Sequence, residues 1–195
     1  MIYKSFKIKN FKGIDEVSID LANSRIISLV GLNESGKTSI MEGVQLFYRI
    51  AKGEYPTAEQ RNEFRPKGIN FSGKIEISAT LILEDEDKKK IENYWKTSLA
   101  KRNGLELPQE LQYDIKFEYE LHTYKDTERS WTFPVKTKNS KRGLYETDKT
   151  GWNALVSHIK DEIVPEILYF DDFIFQIPEK VCFVKTGVAE TDEVS

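Results

Sequence analysis

The chain has 195 residues, of which 39% are hydrophobic and 31% charged, and a net charge of -3 at pH 7. Those values fit one ordinary globular core and exclude both a disordered chain and a polypeptide that coats nucleic acid through bulk positive charge. Cys182 is the only cysteine, which rules out an intramolecular disulfide and a cysteine-rich metal site. No apolar run reaches membrane-spanning length, so a cytoplasmic protein without membrane attachment is expected.

In chain order, residues 2–11 read as a strand with Ile2, Phe6 and Ile8 on one face and Lys7 and Lys9 on the other. Lys12-Gly13 forms a turn. Val17, Ile19 and Leu21 then alternate with Ser18 and Asp20, giving a second, antiparallel strand with one wet face. After Ala22-Asn23-Ser24 comes the apolar run Arg25-Ile26-Ile27-Ser28-Leu29-Val30, whose composition predicts a strand buried on both faces.

Next stands Gly31-Leu32-Asn33-Glu34-Ser35-Gly36-Lys37-Thr38, which fits G-x-x-x-x-G-K-[ST], the phosphate-binding P-loop. The spacing is chemical. Glycines let the backbone curl into a nest of inward N–H groups, the lysine reaches the β- and γ-phosphates, and the threonine hydroxyl is placed for Mg²⁺. Ile40, Val44, Phe47 and Ala51 follow at helical spacing, so Gly36 to about Ile50 reads as a helix whose positive end faces the phosphates.

Lys52 to Ser72 loses periodicity and reads as a long connection. Ile75, Ile77, Ala79, Leu81 and Leu83 alternate as a strand, and Asp85 to Leu99 is a charged helix anchored by Ile91, Trp95 and Leu99. Tyr113 to Leu121 alternates again and is expected to pair with Ser130 to Val135 across a turn at Lys125-Asp126-Thr127-Glu128. These strands suggest an antiparallel sheet, about residues 74–135, inserted after the P-loop helix. Phe117, Tyr119, Trp131 and Phe133 read as its core rather than as a base-stacking platform. Lys136 to Arg142 is a basic loop, either simply solvated or a contact for DNA phosphates. Trp152, Leu155, Ile159 and Ile163 mark a helix ending before Pro165, Ile167 to Phe170 a short buried strand, and 186–195 a disordered tail. His122, on a strand's polar face, and His158, on a helix, lack neighbours at metal-ligand spacing and read as structural.

Three segments carry a family resemblance. Ile8-Lys9-Asn10-Phe11-Lys12-Gly13-Ile14 is similar to the I-x-N-F-[RK]-x-[FI] opening of the SMC, RecF and OLD group of ABC-type ATPase heads. Val30 to Ser39, with Asn33 inside the loop, is similar to their G-x-N-x-[SA]-G-K-[ST]-[ST]. Ile167-Leu168-Tyr169-Phe170-Asp171-Asp172-Phe173 resembles a hydrophobic-Y-F-D-[DE]-[YF] segment of the AAA-15 branch that includes OLD-type ATPase–nucleases.

The resemblance implies an α/β P-loop NTPase, the N-terminal lobe of an ABC-type head over residues 1–185 carrying an inserted antiparallel sheet. It implies ATP and Mg²⁺ held by Gly31, Asn33, Glu34, Ser35, Gly36, Lys37, Thr38 and Ser39, with Ser39 at the α-phosphate, Lys37 as the catalytic group and Thr38 on the metal. Lys12 stands where the family has a basic residue near the nucleotide, and a plain solvated turn lysine is the equal alternative.

The family's second-lobe features, L-S-x-G, a Walker B strand with its glutamate, and a switch histidine, have no match here. Asn70-Phe71-Ser72-Gly73 precedes a strand rather than opening a helix, so it does not serve as the signature. The expectation is a piece of a longer or split ATPase. It would act in DNA processing, repair or anti-phage defence, with a second lobe or a homodimeric head, DNA, and an attached or separate nuclease as partners. Asp171-Asp172 reads as a structural strand end, as a nucleotide-sensing position for which Gln176 is the alternative candidate, or as a Walker B with Asp171 on the metal, which would instead make a self-contained hydrolase. A module that keeps nucleotide only for stability is the third possibility.

Overall fold

The computed structural model describes residues 1–22, 26–32, 35–66, 70–101 and 103–169. Strand β1 (Ile2–Phe11) turns at Lys12-Gly13 into β2 (Ile14–Asp20), antiparallel, with Ile8 opposite Val17. Lys12 sits at φ 52°, as a tight turn demands. Helix α1 (Lys37–Ala51) follows, and then α2 (Ala58–Glu63). Strand β3 (Gly73–Ile82) runs beside β1, with Ile8 opposite Ile77 and Ile2 opposite Ile82.

Helix α3 (Asp85–Thr97) leads to the two-residue β4 (Leu105–Glu106), then to β5 (Glu110–Glu120) and β6 (Thr123–Thr132). Short β7 (Lys136–Thr137) pairs with β4. Helices α4 (Leu144–Thr147) and α5 (Lys149–His158) follow, and α5 runs into a π-helical turn, Ile159–Ile163.

The main sheet has the order β2-β1-β3-β5-β6, with every pairing antiparallel. The strands of residues 74–135 therefore extend the β1–β2 hairpin, because β3 pairs with β1 directly. Period-two alternation sends one set of side chains to one face. Phe6, Ile8, Ile75, Ile77, Ala79, Leu81, Tyr113, Ile115 and Phe117 are all buried there, while Lys74, Glu118 and Glu128 form ion pairs on the other face.

Helix α1 packs on the apolar face. Phe47 meets Phe6 edge-on at 5.4 Å between ring centroids and Tyr113 at 5.5 Å. Gly43 allows that approach, since a Cβ there would lie 2.8 Å from Ile8 Cδ1. Trp95 on α3 packs against Gly151 of α5 and donates its indole N–H to the Asn103 carbonyl at 2.7 Å.

Several expectations need correction. Residues 26–30 form no strand, and all but the half-buried Leu29 are exposed, Ile26 at 82% and Val30 at 92%. A strand buried on both faces needs two neighbours and two covering layers, and no described segment supplies them. Residues 167–169 likewise form no strand, and Leu168 is exposed. The β5–β6 turn is Leu121-His122, at φ 46° and 65°, so Lys125 to Glu128 lies within β6 and His122 is a turn residue. The long connection from Lys52 to Ser72 contains α2, and the basic loop begins with β7. Ile2 and Leu121, assigned inward, are exposed. Cys182 and the tail lie outside the described residues.

Candidate functional site

The P-loop's local geometry follows from its two glycines. Gly36 is the N-cap of α1 at φ 89°, a left-handed conformation that other residues adopt only at a cost. Gly31 faces Ser35 closely, since a Cβ there would meet Ser35 Oγ at 2.7 Å. The loop is drawn together further by the Ser35 N–H, which donates to the Leu32 carbonyl at 3.3 Å.

The Lys37 ammonium folds back over this loop. It donates to the carbonyls of Gly31 at 2.8 Å and Leu32 at 2.6 Å, and to Ser35 Oγ at 3.3 Å. All three hydrogen bonds are exposed, so the lysine is poised over the loop rather than locked in a core. Thr38 is exposed and Ser39 half-buried in the first turn of α1. No side chain caps the helix and its first turn carries no carboxylate. An anion approaching the helix head therefore meets N–H groups, a positive dipole end and an ammonium, with no opposing negative side chain on α1's first turn.

Lys12 has partners of its own. Its ammonium is bound to Glu42 of α1 at 2.6 Å, lies over the Phe11 ring at 5.8 Å, and lines a groove with Phe64 and Gln60. Its backbone N–H donates to the Phe64 carbonyl. Glu42 is the partner that sequence reasoning missed, and no local signal links two residues on separate elements. Of the predicted residues, Gly31, Ser35, Gly36 and Lys37 come together, while Asn33, Glu34, Asp171, Asp172 and Gln176 lie outside the described residues.

Among the described residues no group of three or more His, Cys, Asp or Glu is arranged to hold a metal. His158 stacks on Tyr94 at 4.0 Å, and His122 Nδ1 accepts from the Phe71 N–H. No described helix is long and apolar enough to cross a membrane.

The model of one protein family, described as AAA ATPase domain, matches residues 1–180. No curated protein matches the chain. Among solved structures, the chain is similar to one from work on the ATP-driven dimerization and DNA-stimulated activation of SMC ATPases. That likeness is 16% in identity, with a TM-score of 0.45, and covers 85% of this chain and 82% of the other.

Proposed function

The chain belongs to the AAA ATPase domain family (AAA_15), and on that footing we propose that it is the Mg·ATP-binding lobe of a larger ATPase acting in DNA processing, repair or anti-phage defence. The observation that carries the nucleotide half is Gly36 in the left-handed region at the head of α1, with the Lys37 ammonium over the loop. Backbone N–H groups at Gly36 and in the first turn hold the phosphates, and Lys37 exchanges its carbonyl partners for the β- and γ-oxygens. Ser39 reaches the α-phosphate. Magnesium, when bound, neutralises charge on the transferred phosphoryl group, and the exposed Thr38 hydroxyl is the residue that would hold it.

The partner half rests on the surface run ahead of the loop. Val30, just before the loop, and Leu32, inside it, put apolar side chains into solvent beside the phosphate site. A second lobe or partner head would cover them and complete the catalytic set, so this chain binds ATP and hydrolyses it efficiently only in the assembly. A nuclease, attached or separate, would act downstream of that switch.

Isothermal titration tests the binding half: the folded chain takes up Mg·ATP, and Lys37→Ala abolishes the heat. Absence of uptake by a folded sample overturns the proposal. Turnover by the chain alone, independent of protein concentration, would transfer support to a self-contained hydrolase.

A further inference from the structure

A second feature lies at the opposite edge of the sheet from β2. Strand β6 is the edge strand beyond β5, and register places Trp131 opposite Tyr113 and Arg129 opposite Ile115. Arg129 and Trp131 therefore share one face, two residues apart along an open edge. A groove of about 600 Å³ runs past them, walled on its other side by Tyr145, Lys149 and Trp152.

The aromatic walls are fixed. Trp131 stacks on the buried Tyr113 at 4.3 Å and 18°, so one indole face is backed and the ring is only half-buried. Trp152 donates its indole N–H to the Phe133 carbonyl at 3.4 Å, and Tyr145, 50% exposed, meets it edge-on at 4.9 Å. Cations flank the rings. Lys149 Nζ lies 5.3 Å from the Tyr145 centroid, and the Arg129 guanidinium lies 4.8 Å from that of Tyr55 while donating to its hydroxyl. A guanidinium has five N–H donors, so Arg129 keeps capacity for a further acceptor.

Among the described residues no carboxylate lines the groove, although the chain as a whole is acidic, with a pI of about 5.6. A core function accounts for Phe133, which is buried, but not for a preordered, half-open set of three aromatic rings between two cations. That combination complements a ligand carrying flat π-faces and anionic groups in alternation. Aromatic platforms with flanking cations are how single strands are held without sequence readout.

We infer that the groove between β6 and α4–α5 binds single-stranded nucleic acid, bases stacking on Trp131, Trp152 and Tyr145, phosphates on Arg129 and Lys149. The groove is lined by no described P-loop residue and is measured without ATP, so it can fail while the nucleotide reading stands.

The test is titration of the whole chain with a fluorescently labelled 15-nucleotide oligo-dT, read by anisotropy and by quenching of tryptophan emission. Saturable binding with quenching is expected. Tyr145→Ala weakens it about ten-fold, in line with the loss of one stacked base. Lys149→Glu weakens it and flattens the salt dependence by about one phosphate contact. Both side chains are exposed, and unchanged melting confirms that the variants fold. Lys7→Ala, on the opposite face of the sheet, leaves the affinity unchanged. The inference is overturned by absence of oligo-dT binding, by equal binding of duplex or heparin, by indifference to Tyr145→Ala, or by loss of binding in the Lys7 variant. Selective capture of an extended peptide in place of the oligonucleotide overturns it too.

Discussion

Lys37 donates to the carbonyl of Leu32 at 2.6 Å, so the residue proposed to bind phosphate is held by its own loop. That bond is exposed and its geometry is local. Lys37→Ala is therefore expected to leave the melting temperature within about 2 °C, since exposed polar contacts contribute little to stability. Mg·ATP affinity should fall at least about 100-fold, as a charge-assisted contact is lost. Calorimetry beside thermal melting separates the two effects, and a large drop in melting temperature would show the lysine to be structural.

Gly36 offers a different separation. A Cβ there meets nothing closer than Ile14 Cγ1 at 3.7 Å, so space is available and only the backbone objects. At φ 89° an alanine costs about 1–2 kcal/mol. Gly36→Ala should weaken nucleotide binding by about ten-fold or more as the loop relaxes, with a modest stability loss in urea.

Gly43 is steric where Gly36 is conformational. Valine at position 43 must push aside Ile8, a fully buried residue on a central strand. Overpacking of this kind costs about 1–3 kcal/mol, and urea unfolding of Gly43→Val should show it. A neutral result would mean that α1 slides freely on the sheet.

At the β5–β6 turn the expected change is a gain. Leu121 and His122 both hold positive φ without glycine or asparagine, and Leu121 is 73% exposed. The Leu121 contact to Ser72 Oγ is made by its backbone N–H, which any residue retains. Leu121→Asn should stabilise the protein by about 0.5–1 kcal/mol in urea unfolding, because two-residue hairpin turns favour asparagine there.

Burial holds the His158 imidazole below the ordinary histidine value, against the raising influence of Glu162 and Asp161. Tyr94 stacks on it, and Lys90 lines the same hollow. As the pH falls below about 6.5, the unfolded chain takes up that proton before the folded one does. Stability is therefore level above that point on this residue's account and declines below it. His158→Gln should flatten the acid limb of a pH–melting curve, whereas an unchanged slope would remove His158 from the account.

What sequence could reveal follows the range of each interaction. Ile75 to Leu83 and Tyr113 to Tyr119 alternate because one face is buried along the whole strand, so these strands were legible residue by residue. Lys37 and Gly36 were legible because the loop's bonds span at most six residues. Helix α2 has no buried residue and hence no apolar period. Its only signal is the capping box, in which Thr57 accepts from the Gln60 N–H and Gln60 Oε1 from that of Thr57.

The Leu121-His122 turn lacks the usual residues, which displaced the expected hairpin by several positions. Lys12 and Glu42 meet only because the sheet and α1 are packed, and nothing local announces that. Ile26 to Val30 shows the converse: an apolar run predicts burial, but burial needs neighbours from elsewhere in the assembled structure.

The sheet's central pairing sets an order of events on the ribosome. Ile2 lies opposite Ile82, so β1 cannot gain its inner neighbour until translation has passed that point, and the intervening chain must close as a long loop. Until then α1, already synthesised, has only the β1–β2 hairpin to rest on, and Tyr113, which meets Phe47, arrives later still with β5. The β5–β6 hairpin, by contrast, closes over two residues and can form as soon as it emerges. Synthesis thus leaves β1's inner edge and the apolar face of α1 uncovered together until β3 has emerged, an interval in which the nascent chain is open to misassociation.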